Sequence, residues 1–307
     1  MSPVQVQGEI LANRRVGAYH EMTVVAPGLA DGARPGHFVA VAVGGEDTSM
    51  VLRRAFAIYQ TSDRGVYGGT VTFVFAVHGK GTRWLADRRP HDPIDIVGPL
   101  GRPFTLPRDP VSALLVGGGY GSAPLLPLAE ILRGRGCRVD AALGAATQDR
   151  LFGALDAKRM TASMAIATDD GSAGERGLVT DLLGAMVERG GTDVIYACGP
   201  MGMLAKVGEI AAAYGIPAQV AVEESMACGI GVCMTCVLPV VGDDGVTRMV
   251  RSCVEGPVFR SDRVRFDAVG TVPTDALGAP VETFDGQPPG TVGPSTGSSP
   301  RGKAVWS

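Results

Sequence analysis

Short apolar stretches broken by turn residues fill the first third of the chain, at 4–10, 20–25, 38–43, 55–59, 70–77 and 94–97. Strands recurring at such intervals, with Pro35-Gly36, Gly44-Gly45 and Gly68-Gly69 between them, predict a small antiparallel β-barrel over residues 1–107. Val97-Gly98-Pro99-Leu100-Gly101 reads as a rigid turn closing it. At Val111 the period changes. A strand at 112–116 meets a glycine turn, and Leu125, Leu126, Leu128, Ala129, Ile131 and Leu132 follow at the spacing of one helix face. Strand patterns at 138–143, 163–167, 193–197 and 218–222 alternate with helical ones at 179–188 and 201–214. That alternation predicts a parallel sheet with helices on both faces over residues 108–218. Residues 219–267 carry a cysteine cluster and a hairpin around Gly242-Asp243-Asp244-Gly245, and 268–307, rich in Gly and Pro, reads as a disordered tail. The fold class expected is multidomain β plus α/β: barrel, nucleotide-type α/β domain and a small C-terminal cluster domain.

Composition narrows the class. A chain of 307 residues with 45% hydrophobic and 19% charged residues is long enough for two or three soluble domains. A net charge of -3 gives no electrostatic ground for binding nucleic acid. The N-terminus lacks a basic and an apolar signal region, and no apolar run reaches the roughly 20 residues a bilayer requires, so a cytoplasmic protein without membrane insertion is expected. Six cysteines are too few for a disulfide scaffold in a chain this long. Four of them crowd between 228 and 253, which favours metal.

Those four, Cys228, Cys233, Cys236 and Cys253, follow C-x4-C-x2-C with a solitary fourth, the plant-type pattern for a 2Fe-2S cluster. Gly229 and Gly231 inside the first loop let backbone N–H groups turn toward sulfur. Structural zinc on four cysteines is the alternative, although zinc sites more often pair two C-x2-C units.

Three further stretches suit a nucleotide. In Arg53-Arg54-Ala55-Phe56-Ala57-Ile58 an arginine fork matches phosphate, and Phe56 shares a strand face with Arg54. In Gly79-Lys80-Gly81-Thr82 glycines flank a lysine and a hydroxyl ahead of a helix at 83–87, a second set of phosphate donors. Gly117-Gly118-Gly119-Tyr120-Gly121-Ser122 joins a strand to a helix N-terminus, a site for a dinucleotide pyrophosphate, with Ser122 where the fingerprint has glycine or alanine. A tight strand-to-helix turn is its plainer reading. Two loops at strand ends, with Asp169 and Asp170 in one and Cys198 and Gly199 in the other, belong near a nicotinamide by the general rule for open sheets. Neither an acidic residue nor an arginine cluster after the second strand separates NAD from NADP. The four histidines lack metal-ligand spacing, and no Ser/His/Asp set or carboxylate pair points to hydrolysis.

In this order the parts resemble the ferredoxin-reductase superfamily and, within it, the electron-transfer subunit of the NAD-linked, two-subunit dihydroorotate dehydrogenase. The resemblance runs over about residues 4–266. It is carried by the stretches above together with Cys198-Gly199-Pro200-Met201 and Glu223-Glu224-Ser225-Met226-Ala227-Cys228. It implies FAD on the barrel, NAD on the α/β domain, and a cluster domain exchanging electrons with a separate FMN-bearing catalytic subunit in a two-plus-two heterotetramer. The pathway implied is de novo pyrimidine biosynthesis, with flow from dihydroorotate to NAD. Arg54 would hold the FAD diphosphate, Phe56 would lie by the isoalloxazine, and Gly81 and Thr82 would bind phosphates. The family's strand reads Arg-Pro-aliphatic-Ser where Ala55 and Ala57 stand here, and Ala57 lacks a hydroxyl to meet the flavin near N5. The electron-transfer subunit of another complex, of sulfide dehydrogenase, transhydrogenase or hydrogenase type, is the alternative in the same chemistry. A zinc-stabilised nucleotide-binding protein is the alternative outside it.

Overall fold

The computed structural model describes residues 2–45, 49–63 and 68–280. Six strands, β1 (Val4–Val16), β2 (Tyr19–Val25), β3 (Phe38–Val41), β4 (Arg54–Ser62), β5 (Thr70–Ala76) and β6 (Pro93–Leu100), close into a barrel in the order β1-β2-β5-β4-β3-β6. Every neighbouring pair is antiparallel. Strand side chains alternate in direction, so Ile10, Met22, Val39, Phe73, Phe75 and Ile96 meet inside as one core. Helix α1 (Lys80–Ala86) buries Leu85 in the same core. It begins at Lys80 rather than at 83, because the Thr82 hydroxyl meets the N–H groups of His78 and Gly79 at 2.9 and 3.2 Å and starts the turn early. Gly98-Pro99, expected as a turn, lies within β6, whose pairing with β1 continues to Gly98.

The second unit is a seven-stranded sheet. It contains β7 (Ser112–Gly118), β8 (Arg138–Ala145), β9 (Ser163–Thr168), β10 (Glu175–Arg176), β11 (Val194–Cys198), β12 (Ala218–Ala221) and β15 (Val258–Arg260), in the order β10-β9-β8-β7-β11-β12-β15. All pairs are parallel except β12 with β15. Helices α2 (Leu125–Gly134), α3 (Ala154–Met160), α4 (Leu183–Gly190) and α5 (Met201–Ala213) cover it. The spacing that predicted α2 puts Leu125, Leu128 and Leu132 against the sheet, each at most 1% exposed and worth about 2 kcal/mol on burial. The helix expected at 179–188 divides into a 3-10 turn, Val179–Leu182, and α4. Helix α3 was not legible in the sequence: it is two turns long and starts from Gly153 in the left-handed region at φ 70°.

Strand order reverses between β7 and β11, since the chain runs outward through β8 and β9 and then returns to the other side of β7. The mouth between those two strand ends is the natural ligand crevice of such a sheet.

The cluster segment differs from expectation at both ends. The boundary expected at 218/219 falls inside β12, and the chain re-enters the same sheet as β15, so residues 222–257 form an excursion between two hydrogen-bonded strands. The excursion contains the hairpin of β13 (Val237–Val241) and β14 (Thr247–Arg251). Residues 268–280, expected to be part of a disordered tail, fold back on this hairpin: the Leu277 N–H meets the Thr247 carbonyl at 2.8 Å and Arg265 pairs with Asp275 at 2.6 Å. Ala276 is buried there. The remainder of that tail, 281–307, lies outside the described residues.

Arg53 gives both guanidinium arms to Asp95 of β6 at 2.9 Å each, and Gln5 of β1 meets the same carboxylate at 2.8 Å. Burial alone would raise the Asp95 carboxyl, but these bonds outweigh it and hold it below the ordinary range. A depressed carboxyl adds stability above its unfolded value of about 3.9, and that stability is lost as pH falls through the folded value. Asp95→Asn is therefore expected to lower stability by about 1 kcal/mol at neutral pH, with the deficit closing below about pH 4; urea unfolding at several pH values measures it.

Candidate functional site

A cavity of about 870 Å³ opens between the barrel and the α/β domain and reaches the segment ahead of Cys228. Its barrel wall comes from β4 and β5, with Ala55, Phe56 and Ala57 opposite the glycine turn after β7. Phe56 is held by stacking on Phe73, with ring centroids 4.9 Å apart and planes 6° from parallel.

The glycines matter through close approach. A Cβ on Gly118 would lie 2.7 Å from Pro200 Cδ and 2.9 Å from Met203 Sδ; one on Gly121 would lie 2.7 Å from the Cys198 carbonyl oxygen. The turn after β7 and the loop after β11 thus meet backbone to backbone, leaving a floor without side chains at the strand-order reversal. Ser122, where the fingerprint has glycine or alanine, points away from this floor. Its buried hydroxyl meets the carbonyls of Gly119 and Phe152 at 2.9 Å each.

The sequence-nominated residues divide into those at the cavity and those away from it. Phe56, Ala57, Thr82, Gly118, Gly119, Gly121, Cys198 and Gly199 line it. Arg54 stands beside Gly81, where a Cβ would sit 2.8 Å from its Nε, so the glycine makes room for the guanidinium. Gly79 caps α1, and Gly117 packs against Ser122 and Leu143 beneath the floor. Arg53 is not brought to the cavity, because its fork is engaged by Asp95. Asp170 turns outward to Ser172 Oγ at 2.6 Å, and Asp169 lines the cavity in its place.

Sequence reasoning gave no role to Tyr19, Tyr120, Arg150, Lys206, Glu223 or Glu224, all of which line the cavity. Tyr120 and the two glutamates lie inside quoted motifs, but only the fold turns them toward one space. Burial, with Glu223 nearby, pushes the Cys198 thiol up to about 12 and raises the Tyr120 hydroxyl further. Both are therefore neutral hydrogen donors at physiological pH. Burial also raises the Glu224 carboxyl.

Beyond Glu224 the chain turns into the cysteine loop. None of the six cysteines is in a disulfide. Cys236 and Cys253 are 1% and 2% exposed and pack in one core with Phe38, Ala40 and Leu100 of the barrel, whereas Cys233 is exposed and Cys228 half-buried. Cys233 is pulled down to about 6 by the Thr235 hydroxyl and backbone N–H together with Cys228. Cys253 is pushed up to about 12 by burial and by Cys236.

Among the described residues no three His, Cys, Asp or Glu side chains converge as ligands of one metal ion. Four free cysteines at C-x4-C-x2-C spacing with a solitary fourth form a thiolate donor set that suits a 2Fe-2S cluster. Gly229 and Gly231 adopt φ of 73° and 86°, and the Val232 N–H reaches Cys228 Sγ at 3.4 Å, a donor of the kind that sulfur in such a cluster accepts. The Gly231 carbonyl is held by Arg251 at 2.9 Å.

A subunit named dihydroorotate dehydrogenase B (NAD(+)), electron transfer subunit, from Desulforamulus reducens is 37% identical over 239 residues, 78% of this chain and 89% of the relative. The chain belongs to the family of dihydroorotate dehydrogenase B electron transfer subunits. The subunit of the same name from Geobacillus thermodenitrificans is 38% identical, covering 80% of this chain and 92% of the relative. Residues 223–265 match the family model of the iron-sulfur cluster binding domain of dihydroorotate dehydrogenase B. A solved chain of an NADH-dependent reduced ferredoxin-NADP oxidoreductase, described for flavin-based electron bifurcation, superposes with a TM-score of 0.73 at 30% identity. It covers 85% of this chain and 91% of the solved one. The ferredoxin reductase of carbazole 1,9a-dioxygenase shares the fold, with a TM-score of 0.59 at 19% identity. As an electron transfer subunit, a member of this family serves a catalytic partner. Among the described residues no helix is long and apolar enough to cross a membrane.

The glycine floor gives a direct test in this family member. Gly121→Ala places a methyl against the Cys198 backbone, which has no rotamer to yield, and is expected to cost about 1–3 kcal/mol. Gly134→Ala, with open space around its Cβ, is the control and is expected to be neutral or slightly stabilising in the same urea titration.

Proposed function

We propose that this chain passes electrons between NAD and an FMN-bearing dihydroorotate dehydrogenase catalytic subunit, through FAD and a 2Fe-2S cluster, in a two-plus-two heterotetramer. When bound, the flavin and the cluster supply the exchange between two-electron hydride transfer at nicotinamide and single-electron transfer to a partner.

The observation that carries this reading is Ala55. It lines the cavity and packs in the core that holds Cys236 and Cys253, so one strand residue faces the flavin-sized space and the cluster seat. The roles follow from position. Arg54 offers its guanidinium to a diphosphate, and the Thr82 hydroxyl closes that end. Phe56, fixed by Phe73, supplies a flat apolar support for the isoalloxazine. Gly118, Gly121 and Gly199 keep the floor bare so that the dinucleotide backbone can approach. Cys228, Cys233, Cys236 and Cys253 hold the cluster, with buried Cys236 and Cys253 toward the flavin and exposed Cys233 toward the partner.

A second reading has an observation of its own. The 30% identity to the NADH-dependent reduced ferredoxin-NADP oxidoreductase chain supports an electron-transfer subunit serving a different partner. The identity of the protein that co-purifies with this chain separates the two.

The isolated chain is expected to show flavin and cluster absorption and NADH-dependent dye reduction without oxidising dihydroorotate. Unaided dihydroorotate oxidation would overturn the subunit reading. Cys236→Ser is expected to abolish cluster absorption and transfer to one-electron protein acceptors while leaving flavin content and direct NADH-to-dye activity within about twofold. Arg54→Ala is expected to weaken FAD retention about tenfold or more, read as flavin lost on gel filtration.

A further inference from the structure

Tyr120 touches all three parts of the molecule. It belongs to the turn after β7 of the α/β domain. Its ring stands edge-on to Tyr19 of β2 in the barrel, with centroids 5.3 Å apart and planes at 64°. Its hydroxyl donates to Glu223 Oε1 at 3.0 Å, five residues before the first cluster cysteine. Tyr19 is itself fixed, its hydroxyl donating to the Arg150 carbonyl at 2.8 Å and its ring packing on Phe152 at 6.3 Å.

Besides this hydrogen bond, the segment is held by Met226, which packs against the core of Phe38, Ala40, Leu100, Cys236 and Cys253. Residues 222–235 contain neither helix nor strand. The Val222 N–H is anchored to the Pro257 carbonyl at 2.9 Å. Among the described residues, the bond from Tyr120 is the hydrogen bond that ties 223–227 to another element. Yet Glu223, Glu224 and Met226 form the cavity wall facing Gly118, Cys198 and Gly199. A wall without backbone pairing holds its place only by side-chain ties, and a wall that is loose before binding must be ordered at the expense of affinity.

We propose that Tyr120 is a positioning residue for the nicotinamide dinucleotide: its hydroxyl struts the 223–226 wall to the glycine turn and sets the width of the cleft before nucleotide enters. The inference rests on the reading of this cavity as the NAD site. The ring contact with Tyr19 and the hydroxyl bond to Glu223 are separable, because phenylalanine keeps the first and removes the second. Burial keeps the Tyr120 hydroxyl protonated, so the strut persists across the physiological pH range.

The test is NAD+ binding to the flavin- and cluster-loaded chain, by isothermal titration calorimetry, for wild type, Tyr120→Phe, Glu223→Ala and the double variant. Flavin and iron content are measured on each sample. Tyr120→Phe is expected to weaken NAD+ binding about fivefold or more with flavin and iron unchanged. The double variant is expected to be no weaker than the weaker single variant, because both substitutions break one interaction. Unchanged affinity in Tyr120→Phe, or losses that multiply in the double variant, would overturn the strut. Wild-type protein that carries flavin and cluster but binds no NAD+ would overturn the site reading itself, and the strut with it.

Discussion

Two buried cysteines set the geometry of this molecule. Cys236 and Cys253 are packed against Phe38, Ala40 and Leu100, so the cluster segment is seated on the barrel wall as firmly as any apolar side chain in the core. Thiols are small and largely apolar, and they pay little for such burial while protonated. As metal-bound thiolates they would keep that seat with their charge shared by iron. Because the seat lies behind β3 and β4, the strand that carries Phe56 into the cavity also forms the partition between the cavity and the sulfur ligands. Ala55 and Phe38 belong to both sides of that partition.

Much of this was legible in the chain itself, and the reasons are physical. Six short apolar stretches with turn residues between them point to a small antiparallel barrel because each is too short for a helix and most are closed off by Gly or Pro. The switch to a 3.6 period at Leu125 is equally unambiguous. The cysteine spacing points to its chemistry because loop length limits how ligands share two irons. Local pattern was blind where the deciding partner lies far along the chain. Arg53 and Arg54 look equivalent in sequence, yet Asp95, some forty positions later, engages one and leaves the other beside Gly81. Asp169 and Asp170 are likewise adjacent and interchangeable to the eye, and a tight turn to Ser172 sends one outward. Tyr120 drew no notice because a tyrosine in a glycine turn has no meaning until Tyr19 and Glu223 arrive beside it.

The site is therefore built less from reactive groups than from spacing. Among the residues lining the cavity, Cys198 and Tyr120 are raised by burial and stay protonated, and Gly118, Gly121 and Gly199 contribute only their lack of side chain to this surface. Its work is to keep two planar ring systems and a metal centre at fixed separations, which is why packing faults at the glycine floor matter as much as changes in charge.

The placement of the cluster segment between two neighbouring strands carries a further consequence. Ala221 and Val258 face each other across β12 and β15, so the ends of the excursion are pinned together by the sheet's own hydrogen bonds. The segment is a closed loop rather than a terminal arm, and most of the entropy of gathering its ends is already met by the sheet. Any opening of this segment therefore starts and ends from joined ends, with the sheet beneath it still paired.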